Sequence, residues 1–92
     1  MHNIEIDEDL HKILNKLYKK DRSRYEATIK KIEEVTNSDN IDHYKNLKHN
    51  LKDYKRAHIG SFVIIFRFNK TEDKIYFVYY DHHDNVYEWR PK

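Results

Sequence analysis

The run Phe62-Val63-Ile64-Ile65-Phe66, continued by Arg67-Phe68, is the longest apolar stretch of the chain, and the only glycine, Gly60, separates it from what comes before. It is far too short to cross a bilayer as a helix. Rich in aromatic and β-branched residues and bounded by a turn signal, it reads as a strand. Because both alternating sets of side chains are apolar, both faces of that strand must be covered, which places it centrally in a sheet. A central strand needs partners on either side. Residues 54–59 precede the Gly60-Ser61 break, and residues 74–80 follow a turn at 69–73. In the later strand, strict alternation sets Ile75, Phe77 and Tyr79 on one face and Tyr76, Val78 and Tyr80 on the other.

Ahead of the strands the period changes from two to 3.6. Leu10, Ile13, Leu14, Leu17 and Tyr18 form one helical stripe that ends near Lys19-Lys20, with Asp7 or Glu8 as the start signal. A second stripe, Tyr25, Ile29, Ile32 and Val35 or Thr36, follows a cap at Asp21 or Ser23. The cluster Asn37-Ser38-Asp39-Asn40 stops it. A short opening strand at 3–6, a loop with some local structure up to about residue 53, and an edge strand or helical turn at 86–89 complete the reading. The order strand, two helices, three strands predicts an α+β fold. An N-terminal strand and a two-helix hairpin pack on a small, mainly antiparallel, twisted sheet, whose other face stays partly open. The whole chain, 1–92, is expected to be one domain. The expected core is Leu10, Ile13, Leu14, Leu17, Ile29, Ile32, Val63, Ile65 and Phe77, or their strand-face partners, since a one-residue slip exchanges strand faces.

The absence of cysteine removes disulfide scaffolds, cysteine-ligated zinc and cysteine nucleophiles, and it suits a reducing, cytoplasmic setting. No targeting signal or membrane segment is expected. The formal net charge of +2 conceals a lopsided distribution. Over residues 43–70, Lys45, Lys48, Lys52, Lys55, Arg56, Arg67 and Lys70 face a single acid, Asp53, while the rest of the chain is net acidic. Clustered cations are what phosphate contacts require, and Tyr44 and Tyr54 among them suit stacking on single-stranded RNA; a solvated basic loop leaves the same pattern.

Three further features carry possible chemistry. Strand alternation puts Arg56 and His58 on one face, pairing a cation with an imidazole. Cleavage of RNA through its own 2′-hydroxyl needs a base, an acid and a cation, and histidine titrates near neutral pH. The quartet Asp81-His82-His83-Asp84 contains metal-ligand types, but neighbours on extended backbone point apart, so only two of the four share an ion unless the chain turns. No metal and no other cofactor is expected there, and a protonic role for one histidine is the more economical reading. Tyr87 suits stacking on a base, hydrogen bonding to phosphate, or plain packing.

The segments His43-Tyr44-Lys45-Asn46-Leu47, Tyr54-Lys55-Arg56-Ala57-His58-Ile59-Gly60-Ser61-Phe62-Val63-Ile64-Ile65-Phe66 and Tyr80-Asp81-His82-His83-Asp84-Asn85-Val86-Tyr87 together resemble the RelE/ParE superfamily of type II toxin–antitoxin toxins. The resemblance is closest to archaeal members and to the histidine-using, YafQ-like branch. It implies a ribosome-dependent mRNA endonuclease that cuts by 2′-hydroxyl attack without metal. It also implies a cognate antitoxin, a possible toxin–antitoxin heterotetramer, and mRNA and the ribosome as partners, with no membrane. His58, His83, Tyr87 and Arg56 then fall on catalytic positions, and Lys45, Lys48, Lys52, Lys55, Arg67 and His82 on RNA-binding ones. Many relatives carry arginine where Val63 stands here, so that phosphate cation is absent or replaced by Arg56 or Arg67. Ser61 stands where the YafQ-like pattern prefers aspartate. The same superfamily implies two alternatives, a ParE-like inhibitor of DNA gyrase and an RNA-binding domain without catalysis.

Overall fold

Asp21 alone joins the two helices, and it serves both. In the structure, a computed structural model that describes residues 2–91, its backbone N–H donates to Leu17 O at 2.8 Å, closing α1 (Glu8–Lys20). Its carboxylate accepts from Arg24 N at 3.1 Å, opening α2 (Arg22–Thr36). A one-residue link forces a tight antiparallel hairpin. Asp7 caps α1, accepting from Asp9 N at 3.0 Å, and the acids Glu8 and Asp9 at one end and Lys19 and Lys20 at the other complement the helix dipole. Leu10, Leu14 and Leu17 are buried as the stripe predicts, while Tyr18 stays 44% exposed beneath the Arg22 guanidinium.

The sheet comprises β1 (Asn3–Ile6), β2 (Lys55–Ile59), β3 (Phe62–Asn69) and β4 (Lys74–His82) in the order β1-β4-β3-β2. β1 runs parallel to β4 and the other pairs are antiparallel, so β3 and β4 are central. Gly60, at φ +60°, makes the β2–β3 turn in backbone space that a side chain disfavours. The hairpin packs on one face through Leu10, Leu14, Leu17, Ile32 and Val35, which meet Ala57, Ile64, Phe66, Ile75, Phe77 and Tyr80. Phe66 and Phe77 are both fully buried with ring centroids 5.7 Å apart. Truncating Phe66 to alanine would leave the largest void at the centre, at a cost of about 3–5 kcal/mol.

Two expectations about strand faces change. The register passes from Ile65↔Tyr79 to Phe66↔Phe77, leaving Val78 as an extra residue on β4. This bulge breaks the alternation: Tyr80, not Tyr79, joins Ile75 and Phe77 on the helix side. Val63 and Ile65 are buried as expected, but on the face away from the helices. There they form a second, smaller cluster with Leu47, Leu51 and Val86, flanked by Tyr54, Val78, Tyr79 and Trp89. The covering segments are short 3-10 turns, His49–Leu51 in the basic loop and Val86–Glu88 near the C-terminus, whereas a third turn, Ile41–His43, adds Ile41 to the cluster on the helix side. The loop at 43–53 is therefore anchored to the sheet rather than merely solvated. No helix among the described residues is long and apolar enough to cross a membrane.

Candidate functional site

β2 turns Ala57 and Ile59 toward the helices, so Arg56 and His58 project on the opposite face. The basic loop extends the sheet beside them. Asn46 pairs with Lys55 in an isolated antiparallel bridge, Arg56 N donates to Lys45 O at 3.0 Å, and Leu47 N donates to Tyr54 O at 2.9 Å. Lys55 supports the loop's shape: its Nζ donates to Tyr44 O at 3.2 Å and to Asn46 Oδ1 at 2.9 Å.

Two open grooves meet at Arg56. The first, about 330 Å³, is lined by Lys31, His43, Tyr44, Lys45, Arg56, Ala57 and His58. The second, about 450 Å³, is lined by Lys48, His49, Asn50, Leu51, Arg56, Tyr87 and Arg90. The Nε of Arg56 is buried and has no hydrogen-bond partner. Of the ion pairs among the described residues, one, Lys31–Glu34, involves a groove residue; the others, His2–Asp73, Arg24–Asp21, Lys70–Asp42, Lys74–Glu5, and Asp84 with His82 and His83, lie elsewhere. Lys45, Lys48, Arg56 and Arg90 are thus un-neutralised by any carboxylate in those pairs. A concave surface with uncompensated cations focuses positive potential where a polyanion can enter.

The structure therefore unites Arg56 with His58 and Lys45, and Arg56 with Tyr87 and Lys48. Tyr87 is 38% exposed, and Arg90 Nη1 donates to its carbonyl at 2.6 Å. Other expected residues stand outside the grooves. Arg67 lies over the Tyr76 ring, 4.5 Å from its centroid, and Lys52 is exposed and lines neither groove. Lys70, counted in the positive segment, is paired with Asp42 at 3.0 Å.

His83 sits beyond the end of β4, its N–H donating to Ser61 O at 2.9 Å beside the Gly60 turn. Register links it loosely to His58: His58 is opposite Val63, and Val63 is opposite Asp81, two residues before His83. Two strand spacings separate the His58 and Asp81 backbones, about 10 Å. Asp84 Oδ1 lies 3.0 Å from His83 Nδ1, which leaves Nε2 as the nitrogen available for proton transfer. His82 packs edge-on to Phe62 and beside His83, ring centroids 5.4 and 4.4 Å away. Asp81 holds this corner. It accepts from Tyr79 Oη and from His82 N, both at 2.7 Å, and from Asn85 Nδ2 at 3.4 Å. Burial, and then the bond to Asp81, pushes the Tyr79 hydroxyl up to about 12, so it remains a donor. The chain turns over residues 83–85, and that turn gathers His82, His83 and Asp84 where extended backbone would have separated them.

Sequence reasoning missed His43, His49, Asn50, Arg90 and Lys31 as groove residues. His49 carries the one structural signal: it stands at φ +60°, a left-handed conformation uncommon outside glycine. Nothing in the sequence advertises that strain.

A two-helix hairpin over a four-stranded mixed sheet is the fold of the RelE-type toxins. A chain of the toxin–antitoxin complex RelBE2 from Mycobacterium tuberculosis superposes with a TM-score of 0.68 at 16% identity, covering 89% of this chain and 98% of that one. The conserved hypothetical protein HP0892 of Helicobacter pylori does so with a TM-score of 0.59 at 23% identity, covering 94% and 99%. No protein-family model matches the sequence. A Methanocaldococcus jannaschii protein assigned as toxin RelE4 is 48% identical over 89 residues, 96% of this chain and 93% of its own length. The chain belongs to the RelE family of toxins.

Proposed function

We propose that this toxin is a ribosome-dependent mRNA endonuclease, held in check by a cognate antitoxin, that cleaves RNA by attack of a 2′-hydroxyl on the adjacent phosphorus. The observation that carries the reading is Arg56: a buried, unpartnered guanidinium nitrogen where two basic grooves meet, with His58 in one and Tyr87 in the other. A guanidinium that no carboxylate pairs in the free protein is the group whose fork of donors a phosphate can engage.

In the reaction the 2′-oxygen bonds to phosphorus and the bond to the 5′-oxygen breaks, leaving a 2′,3′-cyclic phosphate and a free 5′-hydroxyl. One of His58 and His83 takes the 2′-hydroxyl proton, and the other supplies a proton to the leaving 5′-oxygen. Arg56 stabilises the charge that builds on the non-bridging oxygens. Asp84 orients the His83 ring. Tyr87 offers an aromatic face for the neighbouring base. Lys45 and Lys48 hold flanking phosphates, and no step calls for a metal ion.

The test is mapping of mRNA 5′ ends on purified, programmed ribosomes, with naked RNA and DNA gyrase supercoiling as parallel assays. Codon-position cuts with cyclic phosphate termini support the reading. Gyrase inhibition without cutting, or ribosome binding without cutting, would replace it.

A further inference from the structure

We propose that His82, His83 and Asp84 form a binding site for a borderline divalent transition metal, zinc foremost, and that its occupation silences His83. The consequence for His83 rests on the cleavage role proposed above; the binding does not. One donor atom from each of the three residues lies within 4.8 Å of the others. The Asp84 carboxylate spans the two rings, with Oδ1 3.0 Å from His83 Nδ1 and Oδ2 3.5 Å from His82 Nδ1. Donors bound to one tetrahedral zinc at about 2.0–2.1 Å stand a little over 3 Å apart, so the 3.0 Å between Asp84 Oδ1 and His83 Nδ1 needs little adjustment.

Asp84 N donates to His82 Nδ1 at 3.2 Å, so that nitrogen presents its lone pair toward the turn, while His83 Nδ1, which faces Asp84 Oδ1, releases its proton when a metal binds there. The turn itself is braced from outside the donor set. His83 N donates to Ser61 O and Asn85 N to His82 O, each at 2.9 Å, while Asp81 is occupied by Tyr79 and His82 N. Two imidazoles and one carboxylate favour zinc, cobalt, nickel or copper over magnesium or calcium, which prefer all-oxygen shells. Three protein ligands leave a position for water.

A metal on Nδ1 changes what the other nitrogen can do. A neutral imidazole ligated through Nδ1 must carry its proton on Nε2, which then has no lone pair to receive another. His83 can no longer cycle between base and acid. The same residues that would serve cleavage thus make it sensitive to zinc, although the cleavage chemistry uses none.

The decisive measurement is a titration of the full, tag-free chain with Co²⁺, read by its ligand-field absorption, and with Zn²⁺ in competition with a chromophoric chelator. One equivalent should bind with a tetrahedral-type cobalt spectrum. His82→Ala and Asp84→Asn should each weaken binding about tenfold or more, whereas His49→Ala should not change it. Asp84 is exposed, so its variant folds even if His82→Ala disturbs the Phe62 contact. Unchanged affinity in both variants would overturn the site. On programmed ribosomes, equimolar zinc should stop cleavage, a zinc-selective chelator that spares magnesium should restore it, and the cleavage retained by Asp84→Asn should resist zinc. Binding without inhibition would overturn the silencing of His83. A chain that never cuts while metal-free would overturn the nuclease reading and leave the binding result standing.

Discussion

Arg56→Ala separates function from stability in a way that few substitutions in so small a protein can. Its Nε is buried without a partner in the free protein, and its neighbours in the two grooves include His43, His58, Lys45, Lys48 and Arg90 but no carboxylate. An unpaired buried donor costs about 1–3 kcal/mol, which alanine relieves while forfeiting the packing of the aliphatic stem. The two effects oppose, so unfolding free energy should stay within about 1 kcal/mol of wild type. Cleavage should behave differently. A hydrogen bond from a charged donor contributes about 1.5–3 kcal/mol, and at about 1.36 kcal/mol per decade its loss lowers kcat/KM about 10- to 150-fold. Arg56→Lys should recover part of this, since it restores charge without the planar fork. Urea unfolding of the isolated protein and single-turnover cleavage on programmed ribosomes give the two numbers. Destabilisation beyond about 2 kcal/mol with cleavage within twofold of wild type would make Arg56 a structural residue and refute the reasoning.

His58→Ala and His83→Ala should each slow cleavage about 10²- to 10⁴-fold while ribosome binding persists, checked by single-turnover rates beside pelleting; full activity in the double variant would dismiss the histidine mechanism. Replacing Lys45 and Lys48 by alanine should reduce the salt dependence of ribosome or RNA binding by about two counterions' worth of slope, and an unchanged slope would return the grooves to solvated surface. His2 gives a pH signature. Its bond to Asp73, and next its bond to Ser38 O, raise its pKa above the ordinary 6.5. The stability it contributes is therefore fully present below pH 6.5 and is lost as pH rises through the elevated folded value. His2→Ala should remove that slope from urea midpoints collected between pH 5 and 9, at a cost of about 1 kcal/mol on the acid side.

The helices were legible because their stripes are long and their caps are local: Leu10, Leu14, Leu17, Ile32 and Val35 all lie where 3.6-residue spacing puts them. Thr28 was not. It is fully buried because its hydroxyl donates to Arg24 O at 2.8 Å, a satisfaction internal to the helix that apolar counting overlooks. The strands were legible as strands, yet one inserted residue, Val78, exchanged the faces of Tyr79 and Tyr80. Alternation carries no mark of a bulge, since the pairing partner decides it. At the site, Arg56 and His58 followed from parity on β2. Tyr87, His49 and Arg90 met Arg56 only through tertiary contacts, for which a chain without periodicity between 37 and 53 offers no guide.

The cation on β2 and the apolar residue on β3 are two consequences of one arrangement. Val63, where the resemblance leads one to expect arginine, is 1% exposed and packs with Leu47, Leu51 and Val86. Those contacts tie the loop that bears Lys45 and Lys48, and the 3-10 turn that bears Tyr87, to the sheet. A guanidinium at position 63 would occupy the seat of the two leucines, and burying that charge would cost more than the contacts it displaced. Arg56 stands one strand away, opposite Ile65, at the border between this small apolar cluster and open solvent. There it can be half-buried, held by the strand, and still reach a phosphate in either groove. The second cluster therefore does more than cover the sheet. By fixing the loop it converts scattered lysines into a surface, and by excluding charge from position 63 it leaves Arg56 as the arginine shared by both grooves.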